Sequence, residues 1–277
     1  MDLKQIISPK QPYFVMATSR YYKAVMMDYG ISHFYCFRND VAHNAVTIVP
    51  DGSLDIQFCC DEQKPHASIS GTVLNPRIVE NDQNYFFGVR FLPGMACKFN
   101  KTDMSDFIEN EVPFLEVIKD PELFEKITTS RDFKFQIQTF MTKYLTIYQQ
   151  SQATDHLSDL KNFMLQKINE TAGQIKVSEL AEMAGYSVRY INKVFSKEFG
   201  LSPKVFCKLM RFQQLLTHLN AVDEKAFDIN MAHLSAELGY YDQSHMIKDF
   251  YELTNTTPGK YIHTLKETEY NKRLVVI

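Results

Sequence analysis

Two stretches in the C-terminal third of the chain repeat each other: residues 185–203, GYSVRYINKVFSKEFGLSP, and residues 239–258, GYYDQSHMIKDFYELTNTTP. The Gly-Tyr pair at the start recurs after 54 residues, and the phenylalanines Phe195 and Phe250 are 55 residues apart. The final prolines are also separated by 55 residues. Self-similarity at a fixed offset indicates a repeated structural unit. We therefore predict one unit present twice, with one additional residue in the turn of the second copy.

Each copy has the residues needed for two helices joined by a sharp turn. Gly185 can adopt the left-handed conformation that ends a short first helix, and Ser187 can cap the helix that follows. A small residue in the first helix, Ala181 or Ser235, lets the second helix cross closely. Apolar residues recur at helical spacing in the second helix and predict a buried stripe, namely Ile191, Val194, Phe195 and Phe199.

The end of each unit is also marked in the sequence. Gly200 in the first copy and Asn255 in the second both tolerate the left-handed conformation that ends a helix. Ser202-Pro203 and Thr257-Pro258 follow, and a serine or threonine before a proline predicts the N-cap and the first residue of a further helix.

A short helix, a glycine turn and a second helix with one apolar face constitute a helix-turn-helix unit. The second helix can lie in the major groove of DNA and present its outward residues to base edges. These outward residues are Arg189, Asn192 and Lys193 in the first copy and Gln243, Ser244, Ile247 and Lys248 in the second. For any one residue the alternative is a solvated helix face. For the whole pattern the alternative is a helical bundle that binds no DNA.

The N-terminal part of the chain predicts strands instead. Apolar residues alternate with other residues over 54–58 and 87–91, and β-branched residues are frequent at 45–49, with turn sequences after them at 50–52 and 93–94. Residues 121–172 return to helical spacing, with a polar break at 149–154. We therefore predict an α+β protein with a β-rich domain at 1–120, a helical dimerisation or linker segment at 121–172 and an all-α tandem helix-turn-helix domain at 173–277.

The C-terminal repeat resembles the DNA-binding domain of the AraC/XylS family of transcription regulators. The resemblance rests on GYS at 185–187, FGLSP at 199–203, Arg211, GYYDQSH at 239–245, and Phe250, Thr257, Pro258 and Tyr261. The stretches IVPDGSLDI at 48–56 and FGVRFLPG at 87–94 are similar to an uncharacterised cupin-like sensor domain that precedes such domains. This second resemblance implies that the β-rich domain is a cupin-like barrel with a regulatory role.

The family resemblance implies a linker helix over about 203–220 and two reading helices in successive major grooves. By position, it implies base contacts from the seven outward residues and phosphate contacts at Ser202, Lys204, Thr257 and Lys260. Asn255 and Ser235 stand where glycine and alanine are usual, and both changes are physically mild. Because Ile247 can touch only a thymine methyl group, we expect the second unit to be the weaker reader.

The resemblance also implies that the N-terminal domain gates DNA binding through a small-molecule effector, dimerisation or both. The candidates for an apolar ligand pocket, or simply for the core of the domain, are Phe34, Tyr35, Tyr85, Phe87 and Phe91. His33, His43 and His66 are scattered without an HxH pattern, so we expect no metal and no cofactor. The helical stretch 133–148 predicts either a dimer seam or packing onto its own domain.

The expected partners are therefore double-stranded DNA, a small-molecule effector, a second copy of the chain and, for an activator, RNA polymerase. The alternative is a regulator that binds DNA constitutively and whose N-terminal domain only dimerises. An enzyme is disfavoured because the chain has no HExxH, GxSxG, P-loop or GxGxxG motif.

Composition adds little to these expectations. The chain has 277 residues and a net charge of −3, and from Ala172 onwards it has 13 lysines and arginines against 12 aspartates and glutamates. The C-terminal part is thus only slightly more basic than the rest of the chain, so the DNA prediction depends on where individual charges lie.

No apolar run is long enough for a membrane helix, and the N-terminus lacks the features of a secretory signal, so we expect a cytoplasmic protein. The five cysteines contain no CxxC pair and predict buried, reduced thiols.

Overall fold

The computed structural model describes residues 7–39, 45–80, 84–95, 99, 102, 104–152, 158–221 and 230–277. His43 and Cys97 lie outside the described residues. The other four cysteines are free and buried, as predicted. None of the described helices is long and apolar enough to cross a membrane.

The N-terminal part of the chain is β-rich, as the alternation predicts. Its strands are β1 (Thr18–Asp28), β2 (Ile31–Asn39), β3 (Ala45–Ile48), β4 (Asp55–Cys59), β5 (His66–Ser70), β6 (Arg77–Glu80), β7 (Tyr85–Phe91) and β8 (Glu111–Pro113), with a late strand β9 (Leu274–Val276). Seven of them form one sheet in the order β8-β5-β4-β7-β2-β1-β9, and β3 pairs with β6 in a separate ribbon. The predicted strands at 45–49, 54–58 and 87–91 correspond to β3, β4 and β7.

The two faces of the seven-stranded sheet differ in chemistry because successive side chains of a strand point to opposite sides. On one face, here called the helix face, apolar side chains pack against helices α3 (Pro121–Thr129) and α4 (Phe133–Gln152). The helix-face residues of β4 and β7 are Ile56, Phe58, Phe87, Val89 and Phe91. The opposite face, here called the cavity face, carries Asp55, Gln57, Gly88 and Arg90 on the same strands.

The segment 121–172, predicted as one helical unit, packs in two places. Helices α3 and α4 cover the sheet through residues such as Ile127, Phe140 and Tyr144. Helix α5 (Ser158–Glu170) instead buries Met164, Leu165 and Ile168 among the C-terminal helices. Of the predicted break at 149–154, residues 149–152 are the last residues of α4, and 153–154 lie outside the described residues. Two short helices, α1 (Pro12–Met16) and α2 (Phe114–Val117), and a 3₁₀ turn at Met104–Phe107 complete this part.

The C-terminal helices follow the predicted repeat. They are α6 (Val177–Ala184), α7 (Val188–Phe199), α8 (Pro203–Asn220), α9 (Met231–Glu237), α10 (Gln243–Thr254), α11 (Pro258–Glu267) and α12 (Tyr270–Arg273). Helices α7 and α10 both have 12 residues, and α8 spans the predicted linker segment. The fold is thus α+β with a C-terminal tandem helix-turn-helix, as the sequence predicts.

The two helix-turn-helix turns use the same backbone solution. Gly185 and Gly239 have φ angles of 71° and 73°. The next residue in each turn, Tyr186 or Tyr240, donates its backbone N–H to the carbonyl of the small residue Ala181 or Ser235, at 3.0 and 2.9 Å. This 6→1 hydrogen bond is the Schellman closure of a helix end. The second turn has one more residue before its N-cap, as the offsets predict.

The C-terminus of the chain returns to the N-terminal sheet. Strand β9 pairs in parallel with β1, and the Ile277 backbone N–H donates to the Lys23 carbonyl at 2.9 Å. Arg273 donates to the carbonyl oxygens of Met16 and Thr18 at 2.9 and 2.7 Å. The predicted unit at 173–277 therefore contributes an edge strand to the sheet of the predicted unit at 1–120.

The same glycine-to-alanine substitution is expected to have opposite effects at two positions. At Gly185 an added Cβ meets no atom within 4 Å, so Gly185→Ala costs only the left-handed conformation, about 1–2 kcal/mol of unfolding free energy. Gly259 also faces open space but lies in α11 with an ordinary helical φ, so Gly259→Ala is expected to stabilise by up to about 1 kcal/mol. Urea unfolding of both variants measures the difference, and equal midpoints would contradict it.

Candidate functional site

Helix α7 presents a polar face to solvent because its apolar stripe is buried. Ile191 and Phe195 are completely buried, whereas Arg189 and Lys193, one turn apart, are exposed. Ser187 caps the helix by accepting a hydrogen bond from the Tyr190 backbone N–H at 3.2 Å. Asn192 is half-buried, and its side-chain amide donates to the Val188 carbonyl at 2.8 Å. Two cations and one partly engaged amide thus form the outward face of α7.

Helix α10 is built in the same way but presents a different outward face. Gln243, Ser244 and Lys248 are exposed and Ile247 is half-buried. Asp242 caps the helix by accepting from the His245 backbone N–H at 2.7 Å. Lys208 of α8 forms ion pairs with two acids of α10. Its Nζ lies 3.2 Å from Asp249 Oδ1 and 2.7 Å from Glu252 Oε2. The outward face of α10 therefore carries one cation, Lys248, against two on α7.

The four residues predicted to contact phosphates lie at the starts of α8 and α11. The hydroxyl oxygens of Ser202 and Thr257 accept backbone N–H bonds from Val205 and Lys260, at 3.3 and 3.4 Å, and thereby act as N-caps. The side chains of Lys204 and Lys260 are exposed. Free backbone N–H groups at a helix start favour an anion. The geometry therefore leaves one exposed lysine at each of two helix N-termini.

The relative placement of the two units depends on α8 and on the residues that precede α6. Arg211 of α8 donates to the Gly173 carbonyl at 2.6 Å, and its guanidinium lies 5.7 Å from the centre of the Tyr240 ring. Gln174 donates to the Glu237 carbonyl at 3.0 Å, at the end of α9. These contacts join the segment before the first unit directly to the turn of the second.

Sequence reasoning missed the exposed aromatic side chains beside both reading helices. Tyr186 and Tyr190 stack with ring centres 4.9 Å apart while remaining 50% and 39% exposed, and Tyr241 is 92% exposed. The signal was the position of these tyrosines in and after the turns, where no buried stripe requires them. Tyr240, which occupies the position of Tyr186 in the second copy, is buried instead.

The five residues predicted to line a ligand pocket do not surround one cavity. Phe34, Phe87 and Phe91 lie on the helix face and are fully buried against α4 residues such as Phe140 and Tyr144. Tyr35 lies on the cavity face, and Tyr85 lies beside Cys36 and Arg131 at a separate surface depression. The physical reason is strand alternation, since Phe87 and Phe91 share one face of β7 and Gly88 and Arg90 share the other.

A cavity of about 210 Å³ lies between the cavity face of the sheet and the β3–β6 ribbon. At its base, Arg90 Nη1 is 2.6 Å from Asp51 Oδ2 and its Nη2 is 3.2 Å from Asp55 Oδ2. Tyr35 donates its hydroxyl to Asp55 at 2.6 Å, and Gln57 donates to that hydroxyl at 3.1 Å. Polar residues at alternate positions of β4 and β5 line the cavity, a pattern that is visible in the sequence.

Burial changes the acid–base properties of the groups around this cavity. Removal from water raises the pKa of the Asp51 carboxyl, and the neighbouring Arg90 guanidinium only partly offsets that rise. Burial, together with the Asp55 carboxylate, raises the pKa of Tyr35 well above its ordinary value. Burial likewise lowers the pKa of His33, which bonds to the Ser32 hydroxyl at 3.0 Å. His66 lies exposed at the cavity rim.

Comparisons with known protein families match two separate parts of the chain. Residues 180–264 match the family model described as "Helix-turn-helix domain", and residues 27–113 match the one described as "Domain of unknown function (DUF6597)". No curated protein sequence matches the chain.

Among solved structures, the chain is similar to the C-terminal domain of the two-component response regulator yesN from Fusobacterium nucleatum. The identity is 22%, the TM-score is 0.34, and the match covers 38% of this chain and 99% of that one. It is also similar to ToxT from Vibrio cholerae, at 10% identity and a TM-score of 0.44, over 83% of this chain and 97% of ToxT. A ToxT structure with bound unsaturated fatty acid matches at 11% identity and a TM-score of 0.39, over 90% and 95% of the two chains.

Substitution of Gly88 is expected to destabilise the protein because the Tyr35 ring lies directly on it. A Cβ at Gly88 would overlap Tyr35 Cζ, so Gly88→Ala must move the ring and weaken its bond to Asp55. Tyr35→Phe keeps the ring but removes the hydroxyl's bonds to Asp55 and from Gln57, and it should cost about 1–3 kcal/mol of unfolding free energy. Gly88→Ala should cost about 1–3 kcal/mol more, because it also overpacks the site. Calorimetric unfolding of both variants tests this, and a Gly88→Ala protein as stable as Tyr35→Phe would contradict it.

Proposed function

We propose that this chain, whose C-terminal part is a helix-turn-helix domain of the AraC type, is a transcription regulator that binds specific DNA sequences through α7 and α10. The observation that carries the proposal is the repeated geometry of these two helices. Each has 12 residues, follows a Schellman turn, buries one apolar face and turns an exposed polar face outward. Such helices fit the major groove.

The two reading helices are proposed to contribute unequally. Arg189 and Lys193 of α7 can bond guanine O6 and N7, and the Asn192 amide can bond adenine. On α10, Ile247 offers only an apolar contact to a thymine methyl group, while Gln243 and Ser244 offer hydrogen bonds near the helix start. We therefore assign most of the sequence discrimination to α7 and more of the positioning to α10.

Regulation by a small molecule is supported by the contact between the cavity wall and α8. Gln213 of α8 donates to the Pro50 carbonyl at 2.9 Å and accepts from the Lys10 backbone N–H at 2.7 Å. The next residue on each side, Asp51 and Gln11, lines the cavity, and Gln11 donates to Asp51 at 2.9 Å. A ligand that moves this wall would shift α8, which separates the two reading helices.

The second candidate function is a constitutive DNA-binding protein whose N-terminal part only dimerises. Its support is weaker because the apolar stripe of α4, the predicted dimer seam, packs onto the sheet of its own chain. The surface of α4 that remains for a second copy includes Phe135, which is 44% exposed. A homodimer through that surface would double the number of reading helices. Contact with RNA polymerase belongs to the proposal only if the protein activates transcription.

Removing a cation from α7 is expected to weaken specific DNA binding. Arg189→Ala and Lys193→Ala should each cost about 1–3 kcal/mol on a site that the wild-type protein selects from random-sequence DNA, because each loses a base contact. Lys126→Ala, which removes an exposed lysine of α3, is the matched control and should leave the dissociation constant unchanged. Wild-type footprints with both α7 variants would exclude α7 as a reading helix.

The lysines at the helix starts are expected to act through charge rather than sequence. Lys204→Ala and Lys260→Ala should each lower the slope of log affinity against log salt by about 1, because one fewer phosphate is neutralised. The ranking of different DNA sequences should stay the same. An electrophoretic titration between low and moderate salt measures both quantities, and an unchanged slope would place these lysines away from the backbone of the DNA.

A further inference from the structure

The cavity between the sheet and the β3–β6 ribbon has an uneven charge balance. At its base, one guanidinium faces two carboxylates, and Arg90, Asp51 and Asp55 are all more than nine-tenths buried. At its rim, the lining includes two acids, Glu80 and Glu111, and one cation, Arg77. Among the described lining residues, four acids therefore face two cations, with one excess negative charge inside and one at the rim. Asp51 and Asp55 share a single guanidinium, so a positively charged occupant would balance the second carboxylate.

The apolar part of the cavity wall also suits a cation. Phe14, Phe37 and Phe86 line the cavity, with ring centres 5.6 Å apart between Phe14 and Phe37 and 5.3 Å apart between Phe37 and Phe86. The negative faces of aromatic rings attract ammonium groups, and the attraction is larger in a desolvated site. An anion would meet both these rings and two carboxylates that already bind Arg90, while the other lining cation, Arg77, lies at the rim.

Two buried side-chain atoms of the lining residues, the Ser53 hydroxyl oxygen and Arg77 Nε, have no hydrogen-bond partner within the described residues. Ser53 is 5% exposed and lines the cavity, and its hydroxyl oxygen makes no hydrogen bond within the described residues. Its own backbone N–H, by contrast, donates to Asp51 Oδ1 at 2.9 Å. A buried hydroxyl is normally hydrogen-bonded, so this atom points to a polar group of a ligand.

From these three observations we propose that the cavity binds a small organic cation that also carries a hydroxyl group. The ammonium group lies towards Asp51, Asp55 and the phenylalanine rings, and the hydroxyl bonds Ser53. The volume of about 210 Å³ limits the ligand to a small molecule. The regulatory meaning of this ligand rests on the proposed function, since Asp51 adjoins the Pro50 carbonyl that binds Gln213 of α8.

The test compares three molecules of one shape and three charges on the full chain. Choline is the cation, 3,3-dimethylbutan-1-ol is its neutral carbon isostere, and 3,3-dimethylbutanoate is an anion of similar size. Titration calorimetry is expected to show binding of choline, binding of the neutral alcohol weaker by about tenfold or more, and no binding of the anion. Equal binding of choline and the alcohol, tighter binding of the anion, or no binding of any of the three would overturn the proposal.

Two variants test the location of the ligand. Glu111→Gln removes an exposed rim charge with little risk to folding, and it should weaken choline binding severalfold while leaving the neutral alcohol unchanged. Ser68→Phe places a ring in the cavity and should abolish choline binding, with calorimetric unfolding to verify that the variant is folded. Choline binding that survives in a folded Ser68→Phe protein, or a choline affinity that is unchanged in Glu111→Gln, would overturn the assignment to this cavity.

DNA binding is measured on the same wild-type preparation so that the two proposals fail separately. If choline does not bind but DNA does, the proposed ligand class is wrong and the proposal for the reading helices is retained. If choline binds and no DNA is selected, the cavity assignment stands and the proposed function fails. A choline-dependent change in DNA affinity would support both proposals and their coupling through α8.

Discussion

The structure depends most on the burial of α8 from several sides. Ten of its residues are buried, and they include Phe206, Met210, Phe212, Leu216 and Leu219. A helix that is apolar around most of its circumference cannot face solvent, so other elements must cover it. The Phe206 ring contacts Phe195 of α7 with centres 5.4 Å apart, and the Phe212 ring contacts Phe250 of α10 with centres 5.8 Å apart. One buried helix thereby holds both reading helices.

The third side of α8 is covered by the N-terminal part of the chain. Gly52 in the turn before β4 approaches so closely that a Cβ there would lie 3.1 Å from Met210 and 3.3 Å from Phe206. Gln213, completely buried on the same helix, bonds the neighbouring Pro50 carbonyl. Asp51, which lines the cavity, therefore lies in the chain between Pro50 and Gly52, and both of these residues contact α8. This short path gives the proposed regulation a physical route through packed atoms and hydrogen bonds.

The tandem repeat shows how one frame can carry two different surfaces. The frame consists of the Schellman turn, the N-cap and the buried phenylalanine, and it recurs in both units with similar backbone geometry. The residues outside the frame differ: Tyr186 is half-exposed and stacks on Tyr190, whereas Tyr240 is buried beneath the Arg211 guanidinium. The frame residues determine the helix positions, so the outward residues are free to differ without loss of fold.

By itself, the sequence determined the features that depend on neighbouring residues: the helix ends at Gly185, Gly200 and Asn255, the caps at Ser187 and Ser202, and the strands around 45–49, 54–58 and 87–91. These follow from local backbone preferences and from hydrogen bonds within a few residues. Only the tertiary structure decided which face of the sheet meets α4 and which lines the cavity, because alternation gives two faces without saying what covers each. The pairing of β9 with β1 and the ion pairs of Arg90 with Asp51 and Asp55 join residues far apart in the chain, so they too were decided only by the assembled fold.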